Sequence, residues 1–318
     1  MADPRTPPSV ADHNLEQGVR HEIETCSPFE SLDRLTVAPS KPKIPLSPDE
    51  LRARRRRNAK RRVVAYGSIL ALIYAFWIWQ PYEIDLVPHM PVPNPPVDPD
   101  TKHLFSPGAK VLVVTAHPDD SAFYIGGFLT KLGRSGAEIH QIICTDGDKG
   151  YYWIFADPAE NRVIRRNEAL EELHTWGGKD ILFLGRSDGR LRADDSLVRK
   201  IRQRIDEVRP EYVICFDGDY PPRISHQDHR RSGEAAEEAV KGAPSVRWLM
   251  KFSTHAPNWI CDISDLWDAE EALLKIHRSQ FHGERLEMIT NTVQNFAVDD
   301  GERIGVTYGE GFRCVRLR

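Results

Sequence analysis

Apolar positions fall into two regimes along the chain. From Val63 to Tyr82 no residue is charged, and Val63–Trp79 is almost wholly apolar. Beyond residue 105 the apolar runs become short. Val111–Val114, Ile139–Cys144, Ile181–Leu184 and Tyr212–Phe216 read as strands buried on both faces. Between them, apolar residues recur at helical spacing. Helices are expected from Ser121 to about Ser135, over Arg162–Trp176 before Gly177-Gly178, over Asp194–Arg209 before Pro210, and over Arg230–Val240. Residues 248–318 read as further strands and helices in no fixed order. This rhythm predicts an α/β fold, a mostly parallel sheet with helices on both faces.

The apolar regime at the front predicts a different organisation. Residues 1–62 are rich in proline and charge and read as a disordered, basic cytoplasmic tail. Eight of the eleven residues from Arg52 to Arg62 are basic. Residues 63–82 then read as a single transmembrane anchor, with Trp77, Trp79 and Tyr82 at its far end as interfacial rings. The basic flank sets the N-terminus in the cytoplasm and the main domain on the extracytoplasmic side, as in a bacterial inner membrane. Residues 83–104 read as a proline-rich linker; seven prolines between Pro81 and Pro99 favour an extended spacer. Residues 105–318 form the main domain.

Composition narrows the chemistry. Across 318 residues, 43 Lys and Arg against 47 Asp and Glu give a formal charge of −4, which argues against nucleic acid as partner. Five cysteines exclude a disulfide scaffold, although Cys261 and Cys314 could pair outside the cytoplasm. Cys144 and Cys215 fall in strands as packing residues.

Polar clusters sit at the carboxyl ends of the expected strands, where open α/β sheets bind ligands. His117-Pro118-Asp119-Asp120 follows the first strand; His226-Gln227-Asp228-His229 follows the fourth. Two imidazoles and a carboxylate make a three-ligand zinc site with a position open for water. Asp119 and Asp120 are adjacent, so one can bind the ion while the other acts as general base. His226 and His229, three apart, can divide the roles of ligand and substrate-facing group. Fe²⁺ or Co²⁺ suits the same donors.

Seven motifs occur in order: Thr115-Ala116-His117-Pro118-Asp119-Asp120, Gly126-Gly127, Thr145-Asp146-Gly147, Arg165-Arg166-Asn167-Glu168-Ala169, Leu184-Gly185-Arg186-Ser187-Asp188-Gly189, His226-Gln227-Asp228-His229 and His277-Arg278-Ser279-Gln280. Over residues 109–315 the chain resembles the PIG-L / LmbE-like family of zinc-dependent N-acetylglucosaminyl de-N-acetylases. The resemblance implies a Rossmann-like fold and hydrolysis of an N-acetyl group on a GlcNAc-type sugar. It implies His117, Asp120 and His229 as zinc ligands, Asp119 as base, and His226 as the group that stabilises the oxyanion. Asp228 would orient a histidine, and Arg166 and Asp188 would contact the sugar. One departure is Ser121, where the family usually has Glu; serine suits a helix N-cap.

The expected activity is therefore a membrane-anchored deacetylase acting on an amino-sugar glycan or glycolipid of the envelope. A metallophosphoesterase and a catalytically impaired sugar-binding module are the alternatives. His140, His174 and His277 read as structural. His255 is a candidate for the pocket wall, and Tyr151-Tyr152-Trp153 for a sugar-stacking platform or a packed lid.

Overall fold

The computed structural model describes residues 47–78, 82–84, 94–150 and 157–318. The chain falls into two units with the boundary after Gly67, and each is described by itself. Residues 1–46 of the expected tail, 85–93 of the expected linker and Tyr151-Tyr152-Trp153 lie outside the described residues.

Helix α1 runs over Pro48–Ile78 and crosses that boundary. Among the described residues no helix is long and apolar enough to cross a membrane. The reason lies in how α1 is divided. Its first half is the basic run, and only the sixteen residues from Val63 to Ile78 are free of charge. At ~1.5 Å per residue they reach about 24 Å, against a hydrocarbon core of about 30 Å. The expected transmembrane anchor, and with it the membrane partner and the extracytoplasmic placement, is overturned by this finding.

The second unit is the α/β domain. Strand β1 (Tyr82–Ile84) and a short helix α2 (Thr101–Leu104) precede β2 (Lys110–Thr115). Then follow α3 (Asp120–Tyr124), α4 (Gly126–Arg134), β3 (Glu138–Thr145), α5 (Pro158–Trp176), β4 (Asp180–Arg186) and α6 (Asp195–Val208). Next come β5 (Tyr212–Phe216), β6 (Ile224–His226), α7 (Gln227–Val240), β7 (Trp248–Phe252) and β8 (Trp259–Asp262). Helices α8 (Trp267–Ile276) and α9 (Gly283–Ile304) and strand β9 (Gly309–Arg316) complete it.

Seven strands form one sheet in the order β4-β3-β2-β5-β7-β9-β8. The first five are parallel, while β9 runs antiparallel between β7 and β8. Alternate residues of each central strand feed different cores. Val111 and Val113 pack into the core under α4, α8 and α9, whereas Leu112 and Val114 pack under α6 and α7. That double burial is why these strands read as unbroken apolar runs. The order reverses between β2 and β5, so a crevice opens beyond their carboxyl ends.

Two local features depart from the sequence reading. The helix expected from Ser121 breaks at Ile125 (φ −147°) into α3 and α4. The break turns the amides of Gly127 and Phe128 toward the buried Glu310 carboxylate, at 2.9 and 2.8 Å. Gly127 also packs on Ile263 so closely that a Cβ would stand 2.9 Å from it. The described parts of the expected spacer are docked, not free. Val97 N–H donates to the Asn258 carbonyl at 3.0 Å, and β1 pairs with β6. Cys261 and Cys314 are both buried and free. They stand opposite Glu310 and Met250 respectively in the sheet.

Candidate metal centre

The loop after β2 and the β6–α7 junction after β5 meet in the crevice, at the wall of a cavity of about 460 Å³. Asp120, the first residue of α3, divides its carboxylate. Its Oδ2 accepts the backbone N–H groups of Ala116 (2.9 Å) and His117 (2.7 Å). Its Oδ1 faces the imidazoles, 3.0 Å from His229 Nε2 and 3.5 Å from His117 Nδ1. The two imidazole nitrogens are 3.2 Å apart.

This triangle passes a test for a metal. A tetrahedral ion with bonds of about 2.05 Å holds its ligand atoms about 3.3 Å apart. His117, Asp120 and His229 present edges of 3.0, 3.2 and 3.5 Å, and their mix of nitrogen and oxygen suits Zn²⁺.

The far side of His117 explains its tautomer. Its Nε2 lies 3.3 Å from both Asp228 Oδ2 and Asp188 Oδ1. A proton on Nε2 leaves Nδ1 as the free donor, the carboxylate–histidine arrangement of metal sites. Asp228 and Asp188 are themselves occupied. Asp228 accepts from the amides of Gly189 (2.7 Å) and Leu191 (2.8 Å), and Asp188 from that of Lys149 (2.8 Å). His117, His226 and His229, and likewise His117, Asp188 and Asp228, also lie close enough to hold an ion, but the backbone amides held by Asp188 and Asp228 make the latter an orienting set.

Electrostatics agrees. Burial opposes charge on His117, yet Asp120, Asp188 and Asp228 together raise its pKa well above the usual value. Burial likewise opposes ionisation of Asp120, but the two histidines hold it well below the carboxylate range. The three carboxylates around His117 favour positive charge there, as a cation site requires.

His226 ends β6 and caps α7, with Nδ1 accepting the Asp228 N–H at 3.1 Å. Burial first, and then its histidine neighbours, lower its pKa to about 4. With Nδ1 an acceptor, the proton of the neutral ring sits on Nε2. The His229 ring stacks on Phe216 with centroids 4.1 Å apart, which fixes its orientation.

Asp119 lines the cavity, and its Oδ1 accepts from Arg165 Nη2 at 2.5 Å. Arg165 also donates through Nη1 to the Gly147 carbonyl. Gly147 has φ +60°, and a Cβ there would lie 2.2 Å from the guanidinium. The sequence reading gave Arg166 and Asp188 to the sugar. Asp188 lines the cavity, but its described bonds go to His117 and Lys149. Arg166 is absent from the wall; it pairs with Asp146 at 2.7 Å and covers the Phe183 ring. Arg165, one residue earlier in α5, faces the cavity.

Ser121 is not the cap of its helix. It lies inside α3, fully buried, and its hydroxyl accepts from Gln141 Nε2 at 3.3 Å. His255 bonds the carbonyl region of Tyr220 and Pro221 and is not part of the cavity wall. His277 pairs with Glu172 in the core. The sequence reading missed Ser225, whose buried Oγ has no hydrogen-bond partner among the described residues although it lines the cavity. It also missed Gln280, Lys149 and Arg285 on the wall; only Gln280 carried a signal, as the last residue of a quoted motif.

The sequence profile described as PIG-L, GlcNAc-PI de-N-acetylase, matches residues 112–240. The diacetylchitobiose deacetylase of Thermococcus kodakarensis is 30% identical over 227 residues, 66% of this chain and 85% of that protein. A probable N-acetyl-alpha-D-glucosaminyl L-malate deacetylase 2 of Bacillus cereus is 30% identical over 185 residues, 54% of this chain and 83% of that protein. Among solved structures, N,N′-diacetylchitobiose deacetylase from Pyrococcus horikoshii superposes with a TM-score of 0.65 at 31% identity. The match covers 68% of this chain and 87% of that one. The chain belongs to the PIG-L family.

Proposed function

We propose that the protein is a metal-dependent deacetylase that hydrolyses the N-acetyl group of a GlcNAc-type saccharide. His117, Asp120 and His229 would hold the ion, Zn²⁺ by their chemistry. The observation that carries this reading is the convergence of those three donors beside Asp119 on one cavity wall. The deacetylase activity of the relatives supports it.

When bound, the ion would polarise the acetamide carbonyl and acidify water. The residues supply the rest. Asp119 takes the proton of the attacking water. Arg165 holds one of its oxygens, which leaves the other for that proton. His226 donates from Nε2 to the oxygen that gains charge as the amide carbon becomes tetrahedral. Asp119 then returns its proton to the nitrogen, and amine and acetate separate. Asp228 keeps His117 turned toward the ion.

One ion fits better than the pair many phosphoesterases use, because Asp188 and Asp228 spend their oxygens on backbone amides. The test uses the full chain, N,N′-diacetylchitobiose and added Zn²⁺. Release of equal acetate and free amine is expected. Metal-dependent release of phosphate from phosphomonoesters, with no acetate from the disaccharide, would overturn the proposal.

A further inference from the structure

Strand β6 brings Ile224, Ser225 and His226 to the cavity wall. It is three residues long and lies outside the seven-stranded sheet; its partner is β1. So short a two-stranded ribbon is not stable by itself. Something must hold it, since His226 needs a fixed position to meet a substrate.

Glu83 meets this need. It stands directly opposite Ser225 in the antiparallel register, with Tyr82 opposite His226. Its Oε1 accepts from Arg231 Nη2 at 2.9 Å, and its Oε2 lies 2.7 Å from Arg230 Nε, an ion pair without hydrogen-bond alignment. Arg230 and Arg231 follow His229 directly in the first turns of α7. One carboxylate thus ties β1, the strand paired with β6, to the helical turn that follows His229. Its side chain is 20% exposed, so these ion pairs are partly shielded and stronger than surface pairs. Residues 82–84 also precede the span matched by the family profile.

We propose that Glu83 is a positioning residue for the His226–His229 segment, so that chain preceding the family match forms part of the active site. This rests on the catalytic reading of His226. Glu83 touches no reacting atom; it acts by fixing where β6 and the start of α7 lie.

The test compares full-length wild type, Glu83→Ala, Glu83→Gln and His226→Ala. Zinc-dependent acetate release from N,N′-diacetylchitobiose, amide hydrogen exchange and thermal unfolding are measured. Glu83→Ala is expected to lower kcat about tenfold, as small misplacements of catalytic groups do, with KM unchanged. Exchange at residues 224–229 should quicken while that at 111–115 stays as in wild type, and the melting temperature should hold. Glu83→Gln, which keeps an acceptor oxygen, should fall between. Wild-type turnover and wild-type exchange at 224–229 in Glu83→Ala would overturn the proposal. So would faster exchange throughout the domain with a lowered melting temperature, the mark of a merely structural role. If His226→Ala kept full turnover, the catalytic reading would fail instead. In that case the exchange comparison still tests whether Glu83 fixes residues 224–229; with His226→Ala impaired, wild-type turnover in Glu83→Ala would overturn the proposal even if exchange quickened.

Discussion

At the scale of single residues, the site depends on carboxylates that divide their work. Asp120 gives one oxygen to backbone amides and turns the other toward two imidazoles. Asp119 has no such ties to the imidazoles and is gripped by Arg165. Adjacent in sequence, the two should therefore fail differently. Asp119→Ala is expected to cut kcat at least ~10²-fold, the scale of general-base loss, and to keep bound zinc. Asp120→Ala should lose the zinc itself. Metal content by mass spectrometry beside steady-state rates distinguishes them; unchanged turnover in Asp119→Ala would refute its role as base. The histidines and aspartates could be read from the sequence because few other reasons put His-x-Asp-Asp and His-x-x-His after two buried strands. Arg165 and Arg166 could not be told apart. Neighbours on a helix point about 100° apart, and only packing settles which one faces the cavity.

At the scale of elements, the parallel strands could be read because both their faces are buried, leaving continuous apolar runs. The break at Ile125 could not. It depends on Glu310, nearly two hundred residues away, whose carboxylate accepts the first amides of α4. Strand β1 was hidden too, since three residues are too few to show a period. The α4 junction carries a pH signature. Glu270 lies beside Glu310, and burial raises its pKa from 4.5 to about 8. Burial raises that of Glu310 as well. The protonated form is thus favoured by folding. The stability it brings is complete below about pH 4.5 and is lost as the pH rises through 8. One proton corresponds to about 1.4 kcal/mol per pH unit across that window. Glu270→Gln, neutral throughout, should gain stability over wild type on going from pH 5 to pH 8. Urea unfolding at both values checks this, and an equal difference at the two would refute it.

At the scale of the whole molecule, hydropathy misled where the fold did not. The charge-free stretch looked long enough to span a membrane when counted to Tyr82, but the described helix, Pro48–Ile78, holds only sixteen of its residues. The basic run that suggested an orientation is the first half of the same helix. The charge pattern alone could not show that the basic run and the apolar run share one helix. For the α/β domain, long-range convergence was legible because topology forces it: the ends of β2 and β5 are neighbours wherever the sheet order reverses between them. A ligand that binds only the folded form stabilises it by mass action. Chelation should therefore abolish acetate release and lower the melting temperature, and added Zn²⁺ should restore both. An unchanged melting temperature after complete metal removal would argue against the centre.

His117 and His229 are 112 positions apart along the chain, yet in the proposed centre their nitrogens would share one guest. No partly assembled intermediate that lacks the contact between β2 and β5 can offer more than half a nest. If those residues do hold an ion, its acquisition would follow the pairing of β2 with β5, and its timing would report the moment the sheet closes.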